Sequence, residues 1–299
     1  MSMKAERCVI FNPAAGGDRA GRFLQYLTRL GNCKLKPTTG PGAARFLAAE
    51  AVREGIETII AAGGDGTLNE VLNGIGDVPG GFEKARLAVM PLGTVNVFAS
   101  ETRIPPAPEA AWKVVEQGKE RSIDLPEITF QANGELRSRF FIQMAGAGLD
   151  ALAVELVDSR LKQRIGRLAY VWAGLKALTR PQGVIQVASQ TKSISGELVI
   201  ICNGKFYGGK FAFCPRAEYA DGRLDVCVFP KMSWSRLPMY SFAALTDRLA
   251  KQNLTVNFQG ESLRLSSDVR VPIQIDGEAV GELPATIQLH PRKLRIVIP

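Results

Sequence analysis

The chain opens on a repeating order of short apolar runs, glycine-rich breaks and amphipathic stretches. Cys8–Phe11 is apolar and stops at Asn12 and Pro13; after Gly16 and Gly17 come Phe23, Leu24, Leu27 and Leu30 at helical spacing. The order then recurs. A helix is predicted over Ala43–Glu54, a strand at Thr58–Ala62, a loop at Gly63–Gly66, a helix with Leu68, Val71, Leu72 and Ile75 on one face, and a strand at Leu87–Met90. Strands alternating with helices predict a parallel, right-handed sheet for the first part of the chain. Three prolines in Arg103–Pro108 mark a connector inside it.

Beyond Asp124 the period shortens. Strand-like runs at Glu127–Phe130, Phe140–Met144, Ile185–Ala188, Glu197–Ile201, Arg223–Phe229 and Ile273–Ile275 are punctuated by Gly, Asn and Pro and predict a mainly β domain. One long helix is expected to interrupt it, Asp158–Arg180, with Leu161, Ile165, Leu168, Trp172 and Leu175 on one side. The terminal run Leu294–Ile298 is expected to return to the first domain. The fold class is therefore α/β with two domains: a Rossmann-like parallel unit over residues 1–122, a β sandwich over 123–285, and a terminal strand in 286–299 packing back on the first.

Composition agrees with two ordinary domains, since 299 residues lie at the upper limit of a single core and 46% are hydrophobic. A net charge of +8 favours a polyanionic partner such as nucleotide phosphates or an anionic membrane surface. Nucleic acid is not expected, because the basic residues are not organised around an aromatic platform or a recognition helix. Cys8, Cys33, Cys202, Cys214 and Cys227 are odd in number and form no CxxC pair, which argues for reduced thiols rather than a disulfide framework or zinc site. The segment MSMKAERCVIF lacks the apolar stretch of a secretory signal, and no run approaches the ~20 apolar residues that span a bilayer. A cytoplasmic protein is expected. His290, the single histidine, has no nucleophile elbow beside it, so a triad hydrolase is not expected.

Chemistry concentrates in three loops that follow successive strands. They are Asn12, Pro13, Ala14, Ala15, Gly16, Gly17; then Gly63, Gly64, Asp65, Gly66, Thr67; then Pro91 to Asn96. In an open parallel sheet such loops converge at the carboxyl ends of the strands, where ligands bind. Glycines let backbone approach phosphate oxygens, and a helix starting near Thr67 would aim its N–H groups at an anion. Tight strand-to-helix turns would need the same glycines. Asp65 separates the two readings, because a carboxylate at an anion site repels phosphate unless Mg²⁺ or a substrate hydroxyl lies nearby. As a plain helix cap it would need neither. No GxxxxGK[ST] or GxGxxG is present at these turns.

The loop Gly63-Gly-Asp-Gly-Thr-Leu-Asn-Glu70, with FNPAAGG before it and PLGTVNVFA after it, resembles the catalytic domain of bacterial diacylglycerol kinases, related bacterial lipid kinases and sphingosine and ceramide kinases. The resemblance continues through Gly146–Asp150, Asn203–Gly209, Asp221–Asp225 and Ile275–Glu278, spanning nearly the whole chain. It implies an ATP- and Mg²⁺-dependent lipid kinase, cytoplasmic and peripherally membrane-associated, whose substrate is a membrane lipid. Its nucleotide would be held by Asn12, Pro13, Ala14, Ala15, Gly16, Thr38, Gly63, Gly64, Asp65, Gly66, Thr67, Leu68, Asn69, Thr94 and Asn96. Catalytic roles would fall to Asp65, Asp276 and Glu278, with Glu278 the base and Asp276 orienting Mg²⁺ or the hydroxyl. A second, structural Mg²⁺ would sit on the Asp221 carboxylate with backbone carbonyls of Glu218 and Arg223.

Read without the resemblance, IDGE is a hairpin turn, since Asp-Gly is a strong turn signal. Where many relatives carry Asp, this chain has Val97. NAD kinases share GGDGT, and a nucleotide- and lipid-binding regulator with weakened catalysis is the alternative of another class. A homodimer is left open. The predicted helix Asp158–Arg180 carries Arg160, Lys162, Arg164, Arg167, Lys176 and Arg180, as an interfacial helix would, although a helix packed on a sheet with a solvated basic face has the same pattern.

Overall fold

The computed structural model describes residues 7–16, 18–30, 33–157, 168–209, 211–246 and 254–299. The chain forms two units, one from residues up to Leu125 with His290–Pro299, the other Pro126–Leu289.

In the first unit, strand β1 (Arg7–Phe11) is followed by α1 (Asp18–Leu30), β2 (Lys34–Pro37), α2 (Ala43–Arg53), β3 (Thr58–Gly63), α3 (Asp65–Gly76), the short α4 (Gly81–Lys84) and β4 (Arg86–Pro91). Helices α5 (Val97–Glu101) and α6 (Pro108–Gln117) lead to β5 (Lys119–Ile123). The sheet order is β2-β1-β3-β4-terminal strand-β5, where the terminal strand is Leu294–Ile298. All pairs are parallel except that of the terminal strand with β5. The last strand thus returns to the first unit, as the apolar run at Leu294 indicated.

Strand β3, TIIAAG, is buried throughout, as expected of a central parallel strand covered on both faces. Helices α2 and α3 pack against each other at small residues, Ala44 and Ala48 on one and Gly74 on the other. A methyl group on Gly74 would collide with the Arg45 carbonyl oxygen. Arg45 in turn clamps Asp77 with two hydrogen bonds of 2.7 and 2.6 Å.

The second unit contains β6 (Pro126–Ala132), β7 (Glu135–Phe140), β8 (Met144–Gly148), α7 (Leu149–Leu156), α8 (Leu168–Leu178), β9 (Ile185–Ala188), β10 (Ser193–Gly196) and β11 (Leu198–Cys202). The small hairpin β12 (Phe206–Tyr207) and β13 (Phe211–Ala212) precedes β14 (Leu224–Phe229), α9 (Leu237–Leu245), β15 (Val256–Gly260), β16 (Ser262–Ser266), β17 (Pro272–Ile275) and β18 (Glu278–Leu289). The main sheet runs β10-β9-β16-β18-β17-β8-β11-β14-β15, with β6 and β7 attached beside β18. Its pairings are antiparallel, and the unit is a β sandwich.

Alternation along the strands divides the interior. Val199 and Ile201 of β11 join Val226 and Val228 of β14 and Ile273 and Ile275 of β17 in one cluster. Leu198, Ile200, Cys202, Cys227 and Phe229 point the other way, under α8 and α9. Burial on both faces explains why LVIIC reads as an uninterrupted apolar run. All five cysteines are free thiols, and burial pushes those of Cys8 and Cys214 up, Cys8 to about 11.

Two expectations are corrected, and a third is tested only in part. Phe140–Met144 is not one strand: β7 ends at Phe140 and β8 begins at Met144. The intervening N–H groups of Ile142 and Gln143 bond to the Asp276 side chain instead of a neighbouring strand. The helix after β3 starts at Asp65 rather than near Thr67. Of the predicted helix Asp158–Arg180, residues 158–167, with Arg160, Lys162, Arg164 and Arg167, lie outside the described residues; α8 covers Leu168–Leu178 and packs on α7.

Replacing Gly74 by Ala sets two effects against each other. Alanine favours the helix by about 1 kcal/mol. The clash is with backbone that cannot rotate away, and overpacking of this kind costs about 1–3 kcal/mol. We expect Gly74→Ala to lower the urea midpoint of the first unit; a raised midpoint would show that α2 and α3 separate at no cost.

Candidate active site

At the carboxyl ends of β1 to β4 the loops are tied to one another. The Asn12 N–H bonds to the Ala62 carbonyl at 2.9 Å, and the Asn12 side-chain amide donates to Thr67 Oγ1 at 3.2 Å. Asn12 Oδ1 accepts the Ala14 N–H at 3.0 Å, which folds Pro13, Ala14 and Ala15 into a turn. Thr38 N–H bonds to the Phe11 carbonyl at 2.8 Å, holding the end of β2 beside the first loop. Leu92 and Gly93 donate to the Gly63 carbonyl at 2.9 and 3.3 Å. The third loop therefore lies on the second. A methyl group on Gly93 would stand only 2.6 Å from Gly64 Cα, so this approach requires glycine.

Helix α3 opens on Gly64, which carries no side-chain cap. The first N–H groups of an α-helix lack partners within the helix, and with its dipole they favour a negative charge. Asp65 occupies the first turn, half-buried, while Thr67, Leu68 and Asn69 are buried behind it. Gly66 is half-buried, Gly16 lies at the end of the first loop, and Thr94 is exposed at the third. Asn96 adopts a left-handed conformation (φ 52°) before α5 and donates to the Gly93 carbonyl at 2.7 Å. Its side-chain oxygen is buried with no hydrogen-bond partner, an acceptor beside the glycine contact. Val97 is the half-buried first residue of α5.

Glu70, the last residue of the motif, has a role its sequence did not announce. Its carboxylate accepts the N–H groups of Gly42 and Ala44 at 2.8 and 3.0 Å, so α3 caps the start of α2. That bond fixes the loop carrying Thr38 relative to the glycine loop. Sequence spacing gives no sign of it, because cap and helix are separated by 26 to 28 residues.

In the second unit, Asp276 and Gly277 join β17 to β18, and both have positive φ, 47° and 85°. Ile275 and Glu278 pair directly. This is the two-residue hairpin that Asp-Gly encodes. The Asp276 carboxylate accepts three backbone N–H groups, from Ile142 at 2.9 Å, Gln143 at 2.9 Å and Met144 at 3.0 Å. Its own N–H bonds to the Met144 carbonyl at 2.9 Å. The turn is thereby fastened to the start of β8. Glu278, half-exposed at the first position of β18, forms an ion pair with Arg139 of β7 at 3.4 Å.

The other motifs of this unit converge on the same turn. Gln274 accepts the Gly277 N–H at 2.8 Å and donates to Asp150 Oδ2 at 2.7 Å. The Tyr207 hydroxyl donates to the other oxygen of Asp150. Asp150 is buried, which raises its proton affinity, while the two donors oppose the shift. Gln143 bonds to the Phe206 carbonyl at 2.8 Å and accepts the Tyr219 hydroxyl at 2.6 Å, and Asn203 donates to the Ile142 carbonyl at 3.0 Å. Arg139, Gln143 and Tyr219 were not singled out from the sequence. Arg139 lies in an exposed, charged strand with no distinguishing pattern.

The segment of Glu218, Asp221 and Arg223 is an exposed turn in which Asp221 Oδ1 accepts the Arg223 N–H at 3.0 Å. Burial raises the nearby Asp225 carboxyl, and the negative charge of Asp221 adds to this. Among the described residues, no three His, Cys, Asp or Glu side chains cluster as a metal site.

The first unit is a parallel α/β domain with joined glycine loops, and the second is an antiparallel sandwich. Residues 6–128 match the diacylglycerol kinase catalytic domain, and residues 143–298 match the YegS C-terminal NAD kinase beta sandwich-like domain. The chain belongs to the diacylglycerol kinase catalytic-domain family. It is 28% identical over 291 residues to a diacylglycerol kinase of Staphylococcus carnosus (strain TM300), covering 95% of this chain and 92% of that one. A diacylglycerol kinase of Staphylococcus haemolyticus (strain JCSC1435) is 27% identical, with 97% and 87% covered. A crystal structure of a diacylglycerol kinase from Bacillus anthracis str. Sterne shares the fold, with a TM-score of 0.77 at 20% identity over 100% of this chain and 99% of that one. No described helix is long and apolar enough to cross a membrane.

Asp276→Asn tests the fastening of the turn. Asparagine also tolerates positive φ, so the backbone is not forced to change. Its amide nitrogen would face an N–H donor where a carboxylate oxygen now accepts, and an unsatisfied buried donor costs about 1–3 kcal/mol. We expect a loss of that size in chemical unfolding of the second unit; an unchanged midpoint would show the three bonds to be dispensable.

Proposed function

We propose that the protein is an ATP- and Mg²⁺-dependent lipid kinase that transfers the γ-phosphate of ATP to a hydroxyl of a membrane lipid. The observation that carries this reading is the joining of three strand-end loops around the first turn of α3, where backbone N–H groups and Asp65 lie together. Backbone donors suit the phosphates of a nucleotide, and a carboxylate beside them suits a cation or a reacting hydroxyl. Family membership supports a kinase, and the similarity to diacylglycerol kinases supports a lipid acceptor.

In this reading Asn12 to Gly16, Thr38, Gly63 to Asn69, Thr94 and Asn96 hold the nucleotide. Glu278 accepts the proton of the lipid hydroxyl as its oxygen bonds to the γ-phosphorus, and the bond from that phosphorus to the bridging oxygen of ADP breaks. Mg²⁺, when bound, neutralises phosphate charge that the attacking oxygen would otherwise meet. Asp276 serves as a positioning residue, since its carboxylate is occupied by the N–H groups that hold the turn. Asp221, with carbonyls of Glu218 and Arg223, is the proposed seat of a structural Mg²⁺. The protein works in the cytoplasm and on membrane surfaces.

The decisive experiment incubates the protein with labelled ATP, Mg²⁺ and a panel of lipids and identifies the labelled product. We expect a chloroform-soluble phospholipid; label appearing in NADP would overturn the reading in favour of NAD kinase chemistry. Glu278→Gln and Asp65→Asn should each lower turnover by about 10²–10⁴-fold. Glu278→Gln should leave stability within about 0.5 kcal/mol, because the position is half-exposed and its ion pair with Arg139 is screened by solvent. Full turnover in both variants would eliminate the mechanism.

A further inference from the structure

Helix α9 and the turn before it form an apolar outer face that the fold leaves uncovered. The Leu237 N–H bonds to the Ser233 carbonyl at 3.0 Å and the Tyr240 N–H to the Arg236 carbonyl at 3.0 Å, so helical register extends back to Ser233. At 100° per residue, Leu237, Tyr240 and Ala243 share one side, and these pack into the cluster under β11 and β14. Tyr240 stacks edge-on against Phe229, with ring centroids 5.0 Å apart. Trp234, Pro238, Met239 and Phe242 fall on the opposite side. Trp234 and Phe242 are 53% and 58% exposed, far above what a packed helix requires. Strand β13, adjoining α9, adds the exposed ring of Phe211.

An outer face of this kind is normally polar, and large exposed apolar surfaces mark interaction sites. The charge around it identifies the partner. Lys231 and Arg236 are exposed within the same stretch, and Pro230–Leu245 contains no acidic residue. A tryptophan and a phenylalanine flanked by cations are the chemistry of the water–lipid boundary, where aromatic rings enter the acyl margin and cations meet anionic headgroups. A protein partner would be expected to offer this apolar face a matching one, whereas a bilayer needs only to be anionic.

We propose that the outer face of α9, with Trp234, Met239 and Phe242 at its centre and Lys231 and Arg236 beside it, docks the protein on an anionic lipid bilayer. This deepens the lipid-kinase reading and rests on it in one respect, that the acceptor resides in a membrane. The other aromatic candidate is α8. Trp172 is 63% exposed there, but the described part of that helix has Lys176 as its one cation and packs on α7.

The test uses the full chain without ATP. Flotation with vesicles of phosphatidylcholine and phosphatidylglycerol is compared with flotation on phosphatidylcholine alone. We expect binding to the mixed vesicles only, weakened by salt, and reduced about tenfold or more in the triple variant Trp234→Ser, Met239→Ser, Phe242→Ser. In a Trp172→Phe background, mixed vesicles should shift the tryptophan emission to the blue, since Trp112 is buried. Undiminished flotation of the triple variant, or emission from Trp234 that ignores the vesicles, would overturn the proposal.

Should the triple variant fail to fold by circular dichroism, Lys231→Glu with Arg236→Glu replaces it, and retained preference for anionic vesicles would count against us. A dimer in solution that the triple variant converts to monomer would assign the face to a second copy and also overturn the proposal. Failure of the kinase reading would show as no phosphorylation of any lipid, including a short-chain water-soluble one, with flotation unchanged.

Discussion

The second unit depends on one carboxylate whose oxygens collect backbone N–H groups from a segment far away in sequence. Asp276 gathers three backbone N–H groups of residues 142–144, and its own N–H closes the ring on Met144. A carboxylate is the side chain for this, because it has two oxygens, about four acceptor sites and no donor to place wrongly. Three consecutive N–H groups turned toward one point cannot also serve a straight strand, so β7 must end and β8 must begin there. The bent segment then presents buried Gln143, whose amide joins Tyr219 and the Phe206 carbonyl, and buried Ile142, whose carbonyl takes Asn203. Gln274 repeats the pattern from the other side, linking the Gly277 N–H to buried Asp150 and, through it, to Tyr207. Three separated motifs are thus the parts of one polar network around a two-residue turn. Glu278, at the first position of β18 and half-exposed, pairs with Arg139 beside this network.

The first unit solves a different problem with different means. Its candidate site is mostly backbone: glycines in contact, a helix start without a side-chain cap, and loops joined through main-chain carbonyls. Side chains there act at one remove, Asn12 by tying its loop to Thr67 and Glu70 by capping α2. The close fit of Gly74 against α2 sets the distance between the two helices whose starts carry these loops. Packing at small residues therefore governs the geometry of a site in which those residues take no part.

Much of this was legible in the sequence. Periodicity located β1, β3, β4, α2 and α3, because in a parallel α/β unit each element is long, covered and strongly patterned. The return of the terminal strand was readable from a last apolar run with no partner near it in sequence. Asp-Gly gave the hairpin before β18, and it proved to be both a turn and the place where the candidate base is mounted. The misreadings have a common cause. Phe140–Met144 is apolar enough for a strand, but its amides are claimed by a side chain more than 130 residues away. Helix α3 starts two residues earlier than Thr67 would have it, since Gly64 supplies the entry conformation without any cap. Glu70, Arg139 and Gln143 escaped notice for the same reason: their partners are distant in sequence, and hydropathy carries no record of a hydrogen bond.

The division between a backbone-built half and a side-chain-built half bears on what could vary within such a protein. A phosphate grip made of main-chain N–H groups is indifferent to most substitutions that keep the glycines, so the donor side should be chemically uniform. The acceptor side is mounted on a turn whose shape is held by buried polar bonds, each of which loses about 1–3 kcal/mol if half removed. Such a network resists gradual change, whereas the part of β7 before half-buried Arg139, Glu135 to Ser138, is exposed. Val97, half-buried at the start of α5, is by the same logic a change on the conservative side of the molecule, and no interaction in the structure explains it.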